Sequence, residues 1–165
     1  MSRLSFNKGV LVAAALVTAI LMSGFSPDTS FAVSCSGARC NGRNPVTTGC
    51  NQNAYLAAHY PFYEQPWNII FSLYSSSSPY MNVYYSRSCG TNWIQVTGNP
   101  YGGLTYKEIQ VATPGGYWQA ESDWGYGSSY GMMVYAPGST AIHIWAKLTN
   151  GSSITKATTA YMTLQ

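Results

Sequence analysis

The chain reads as an all-β protein, an antiparallel β-sandwich or small barrel carrying a disulfide-stapled irregular N-terminal segment. Short runs rich in Tyr, Ile, Val, Trp and Thr follow Pro66 and are separated by Gly, Pro, Asn and Ser clusters. Several runs alternate apolar and polar residues, so each has one face turned to a core. The connections are too short to hold crossover helices, which excludes a parallel α/β sheet. At 165 residues, 46% hydrophobic, 15% aromatic and 8% charged, the chain is too apolar for disorder and sized for one compact domain.

Residues 1–32 have the layout of a secretory signal peptide. Arg3 and Lys8 precede the apolar run Val10–Met22, and Ser30-Phe31-Ala32 offers a small-residue cleavage site. The apolar run is shorter than the ~20 residues that span a bilayer, so no membrane insertion is expected of the mature form. Cleavage after Ala32 leaves residues 33–165 as a single β-sandwich domain in an extracellular setting. Lipidation at Cys35 is the competing reading, and the thirteen positions from Met22 to Cys35 speak against it.

Cys35, Cys40, Cys50 and Cys89 all fall in the mature part, an even number that points to two disulfides. Three connectivities satisfy four Cys. Their spacing lacks the close Cys-x2-Cys pairs of structural zinc sites and redox motifs, so no metal or other cofactor is expected. Cys35–Cys50 is rich in Gly, Asn, Arg and Pro and is expected to be irregular. A short helix is expected over Gln52–His59, where Ala54, Ala57 and Ala58 favour it and Pro61 ends it.

Eight strands are then expected: Asn68–Ser75, Met81–Arg87, Trp93–Thr97, Tyr106–Ala112, Tyr117–Glu121, Met132–Ala136, Ala141–Leu148 and Lys156–Leu164. In Ala141–Leu148, Ile142, Ile144, Ala146 and Leu148 share one face while His143, Trp145 and Lys147 share the other. Met81, Val83 and Tyr85 form a second inward set, and Ile94 with Val96 a third.

Few side chains are suited to catalysis. The mature acids are Glu64, Glu108, Glu121 and Asp123. Glu121 and Asp123 are expected as solvated turn acids ahead of Gly125 and Gly127, with no role in stability or activity. His59 and His143 have no accompanying Gly-x-Ser-x-Gly turn, and their spacing suggests no metal site. The mature charge of six basic against four acidic residues, without a basic cluster, excludes a nucleic-acid groove. Fourteen Tyr and five Trp, several beside Gly, instead suggest recognition by aromatic rings. Tyr84, Trp118, Trp124, Tyr126 and Trp145 are the candidate binding residues.

Two signatures carry a resemblance. The first is Cys35-x-Gly37-x-x-Cys40-x-Gly42-x-x-Pro45-x-x-x-Gly49-Cys50 followed by Ala54; the second is Tyr85-Ser86-x-x-Cys89-x-Thr91-x-Trp93. Over roughly Cys35–Val96 the chain resembles a family of uncharacterised small secreted proteins found mainly in actinobacteria. The resemblance implies an extracellular β-rich module with no assigned chemistry. The chain departs from that family in having Asn53 in place of Asp, Tyr84 in place of Arg, and Ile94-Gln95 in place of Ala-Arg. In size, export and fold class it is also similar to the small linking subunits of secreted lectin and toxin assemblies.

The expected function is therefore non-enzymatic protein binding, as an adaptor joining one or more secreted proteins in an extracellular complex. A carbohydrate or cell-wall binding module is the alternative, since the same rings stack on sugars. A secreted inhibitor presenting the stapled loop Arg39–Thr48 is a further alternative.

Overall fold

The computed structural model describes residues 32–64, 79–151 and 154–163. Residues 1–31 of the expected leader, and the strand expected over Asn68–Ser75, lie outside the described residues. The described chain forms β1 (Ala54–Pro61), β2 (Tyr63–Glu64), β3 (Tyr80–Ser86), β4 (Thr91–Val96), β5 (Leu104–Val111), β6 (Trp118–Trp124), β7 (Ser129–Tyr130), β8 (Val134–Tyr135), β9 (Ala141–Thr149) and β10 (Ile154–Thr163). A 3-10 turn over Gly37–Cys40 is its one helical element among these residues.

The strands build two antiparallel sheets, as the alternation and short connections require. In the first, β1, β3 and β4 lie side by side, and β7 and β8 both pair with the far edge of β4. The second runs β2-β10-β9-β5-β6. Met81, Val83, Ile94 and Val96 of the first sheet meet Ile109, Ile142, Ile144, Ala146 and Leu148 of the second, with Phe62, Val134 and Ala136 completing the core. All are almost fully buried, and each large aliphatic removed from water contributes about 1.5–3 kcal/mol. Asn99, fully buried, ties the loops at one end. Its amide donates to the carbonyls of Leu104 and Thr149 at 3.2 and 3.3 Å, and its side-chain oxygen accepts from the Tyr101 N–H at 3.0 Å.

The helix expected over Gln52–His59 is instead strand β1. A segment this short is marginal as a helix even when Ala-rich, whereas pairing with β3 provides ladder hydrogen bonds along its length. A bulge between Leu56 and Ala58 turns Tyr55 and Ala58 to the same face, and this extra residue hides the period of two. Tyr55 packs edge-on against Tyr85 at 5.8 Å, while Ala58 and Tyr60 pack against the core. The strand expected over Met132–Ala136 is shortened to β8 because the chain breaks away from β4 at Met133. That side chain is buried among the disulfides.

The N-terminal segment forms a third layer on the outer face of the first sheet. Disulfides join Cys35 to Cys40 and Cys50 to Cys89. Together with Trp93 and Met133 the four Cys form a second buried cluster, with Ala54 and Tyr84 against it. Backbone bonds fasten the layer: Gly42 N–H to Met133 O at 2.8 Å, Met133 N–H to Arg43 O at 2.9 Å and Gly37 N–H to Cys89 O at 3.2 Å. Gly90, in the β3–β4 turn at φ +67°, must be glycine, because a Cβ there would come within 2.9 Å of the Tyr135 ring.

The two bridges close loops of very different length, with sequence separations of 5 and 39. From loop closure, replacing Cys50 and Cys89 by Ser is expected to cost about 4 kcal/mol and replacing Cys35 and Cys40 about 2 kcal/mol. Urea unfolding of the two variants checks this; equal losses would contradict it.

Candidate functional site

Strand register places a set of rings on the outer face of the second sheet. Even-numbered residues of β6 (Trp118, Ala120, Ser122, Trp124) share that face with Tyr106, Glu108 and Gln110 of β5. His143, Trp145 and Lys147 of β9 and Thr159 and Tyr161 of β10 continue it. Tyr161, His143, Gln110 and Trp118 make one row across four strands, spanning about 14 Å, and Trp118 and Trp124 stand about 20 Å apart along β6. Trp118, Trp124 and Tyr161 are 59%, 71% and 75% exposed.

The middle of the face is held by ring contacts. Tyr106 and Trp145 meet edge-on at 5.0 Å, and the Lys147 ammonium lies 5.1 and 5.4 Å from their centroids. The Tyr106 hydroxyl donates to the Glu108 carboxylate. Burial, then that bond and the negative charges of Glu108 and Glu121, push the Tyr106 phenol up from 10.0 to about 12. His143 stacks on Tyr161 at 4.3 Å, and its Nε2 is 2.9 Å from Thr159 Oγ1. Thr159 Oγ1 itself donates to the Ile144 carbonyl at 3.1 Å. His143 is therefore the donor to Thr159, opposite to the polarity of a base activating a nucleophile.

At the Trp124 end the face adjoins a cleft of about 380 Å³ lined by Asn44, Thr105, Asp123, Trp124, Ser129 and Tyr130 among others. Its floor corrects an expectation. Glu121 and Asp123 are not turn acids: both lie on β6 and point inward, opposite Lys107 and Thr105. Lys107 is 1% exposed, and its ammonium donates to Asp123 Oδ2 at 2.5 Å and to Ser129 Oγ at 2.9 Å. Glu121 Oε1 accepts from the Gln119 amide at 2.6 Å, and Gln119 in turn accepts from the Tyr117 hydroxyl at 2.9 Å. A polar layer thus replaces apolar packing beneath β6, and Lys107 requires Asp123 as its counterion.

Of the candidate binding residues, Trp118, Trp124 and Trp145 come together on this face. Tyr126, 74% exposed, stands in the loop after Trp124, with its ring so close over Gly102 (φ +67°) that a Cβ would fall 2.5 Å from it. Tyr84 lies apart, on the outer face of the first sheet, stacked on Trp93 at 5.7 Å beside the disulfide layer. Tyr106 and Tyr161 were not singled out by sequence. On β5 the inward Lys107 inverts the expected polarity and hides Tyr106, whereas Tyr161 is recoverable from its register opposite His143.

His59 stacks on Tyr80 at 4.0 Å, with its Nδ1 3.1 Å from Asn82 Oδ1. The four Cys sulfurs lie within 4.8 Å of one another, a spacing that would suit a metal, but all are oxidised to disulfides. Compared with known protein families, with curated proteins and with solved structures, the chain matches none.

Two outcomes follow from this geometry. Because the Tyr106 phenol is raised in the folded state, its stabilising contribution is present below about pH 10 and is lost as pH rises through about 12. Tyr106→Phe should flatten that alkaline fall in thermal midpoint; an unchanged fall would refute it. At the cleft, Asp123→Ala strands a buried cation and should cost about 3 kcal/mol, while Lys107→Met leaves only a half-exposed carboxylate and should cost less. Urea unfolding showing the reverse order would contradict the assignment.

Proposed function

We propose that the protein is a secreted, non-enzymatic binding module whose outer β-sheet face lies against the sugar rings of a polysaccharide, such as a cell-wall glycan. The exposed rings Trp118, Trp124 and Tyr161 on one open sheet face carry this reading. Such rings stack on the apolar faces of sugars, and the groups between them, Gln110, Ser122, Lys147 and Thr159, suit hydroxyl partners. The other large exposed hydrophobics include the aliphatics Val46 and Leu56, and neither belongs to this sheet. The leader expected over residues 1–32 and the two disulfides support an extracellular site of action.

An adaptor for another secreted protein would use the same rings. Protein interfaces are centred on desolvated apolar anchors with charge depleted at the core. Here Glu108 and Lys147 sit among the rings, which favours a hydroxyl-rich ligand. The inhibitor reading needs a projecting loop, whereas Arg39–Thr48 is held down through the backbone of Gly42 and Arg43 bonded to Met133 and through its buried Cys40, Pro45 and Thr48.

Trp118→Ala and Tyr161→Ala should each weaken retention on an insoluble polysaccharide about fivefold or more while leaving thermal unfolding unchanged. Loss of a captured protein partner in these variants, with no glycan retained by the wild type, would support the adaptor instead.

A further inference from the structure

The cleft at the Trp124 end of the aromatic face has a chemistry of its own. Asp123 binds Lys107 through Oδ2 alone, so among the described residues its Oδ1 has no partner and is free to accept. Ser129 Oγ accepts from Lys107, and the Tyr130 hydroxyl accepts from the Asn44 amide at 3.3 Å. Each of these hydroxyls keeps its own proton to donate. Asn44 is fixed in turn, because its side-chain oxygen accepts from the N–H groups of Val46 and Thr47 at 2.8 and 3.2 Å. One free acceptor and two available donors therefore line the same cleft as Trp124.

We infer that this cleft is a subsite for one neutral, hydroxyl-bearing sugar residue, bound by Asp123, Ser129 and Tyr130, with the glycan chain running from Trp124 along the face toward Trp118. The inference rests on the polysaccharide reading above. The cleft volume of about 380 Å³ falls in the range of small-ligand pockets. An anion is disfavoured, because the buried Lys107 charge is already met by Asp123 and the remaining carboxylate oxygen would repel it. A divalent cation is disfavoured too: Ca²⁺ takes six to eight oxygens, and Glu121, the neighbouring acid, is engaged by Gln119. Lys107 is a positioning residue, holding the Asp123 carboxylate while remaining out of reach of the ligand.

The test is an array of neutral oligosaccharides of glucose, N-acetylglucosamine, mannose, galactose and arabinose. The best binder is then titrated calorimetrically into the wild type, Trp118→Ala, Tyr130→Phe and the double variant Lys107→Met/Asp123→Asn, which removes both charges together so that neither is stranded. Tyr130→Phe should weaken binding about fivefold and the double variant about tenfold or more, with Tyr130→Phe unchanged in thermal midpoint. If Trp118→Ala weakens binding while Tyr130→Phe and the double variant match the wild type, the subsite is overturned and the face stands. If only the cleft variants weaken binding, the subsite stands and the face is overturned. No binding to any sugar overturns both, and an unfolded double variant leaves Tyr130→Phe to decide.

Discussion

The Cys50–Cys89 bridge decides which side of this sandwich is open. Cys89 sits in the tight turn between β3 and β4, and Cys50 closes the irregular N-terminal segment, so the bond draws that segment onto the first sheet. Trp93, Tyr84, Ala54 and Met133 then pack against the sulfurs instead of water. The backbone of Gly42 and Arg43 satisfies Met133 where the β7–β8 edge breaks, covering a place where another chain could pair. With part of the first sheet's outer face covered in this way, the aromatic outer face of the second sheet is the one proposed to meet a ligand. The Cys, Gly and Pro positions of the first signature and the Ser86, Cys89, Thr91 and Trp93 positions of the second gather in or beside this clasp. The signatures thus describe the framework, and the candidate binding rings on β6, β9 and β10 lie beyond them.

A second asymmetry lies inside the sandwich. Between β3, β4, β5 and β9 the interior is largely aliphatic, but under β6 it turns polar, with Gln119, Glu121 and Asp123 pointing inward. Lys107 is the hinge of that change: a core position on β5 that carries a charge, neutralised by an acid standing half in solvent. Apolar residues of similar volume would hold the sheet as well or better, so the pair is better explained by the fixed carboxylate it presents to the cleft.

Much of the fold was legible because its strands bury one face each. Ala141–Leu148 alternates cleanly, and its inward set of Ile142, Ile144, Ala146 and Leu148 is the heart of the core. β1 was misread because a bulge at Leu56/Ala58 breaks the alternation and its alanines mimic a helix; pairing with β3, a long-range contact, overrode local preference. The acids of β6 were misread because the following glycines suggested an earlier turn, and because their partner Lys107 is visible as such only when β5 and β6 are in register. The rings themselves could be named from composition. Their sorting, with Trp118, Trp124 and Trp145 on one side and Tyr84 on the other, required the order of the strands.

The central claim is that the outer face of the second sheet receives the ligand, and the indole N–H resonances report on it most directly. Trp118, Trp124 and Trp145 lie on that face, while Trp93, 5% exposed beneath the disulfide layer, is a built-in control. On titration with a soluble glycan fragment, the resonances of Trp118, Trp124 and Trp145 should shift together and that of Trp93 should stay in place. Shifts confined to Trp93, with the three sheet-face indoles unmoved, would contradict the account.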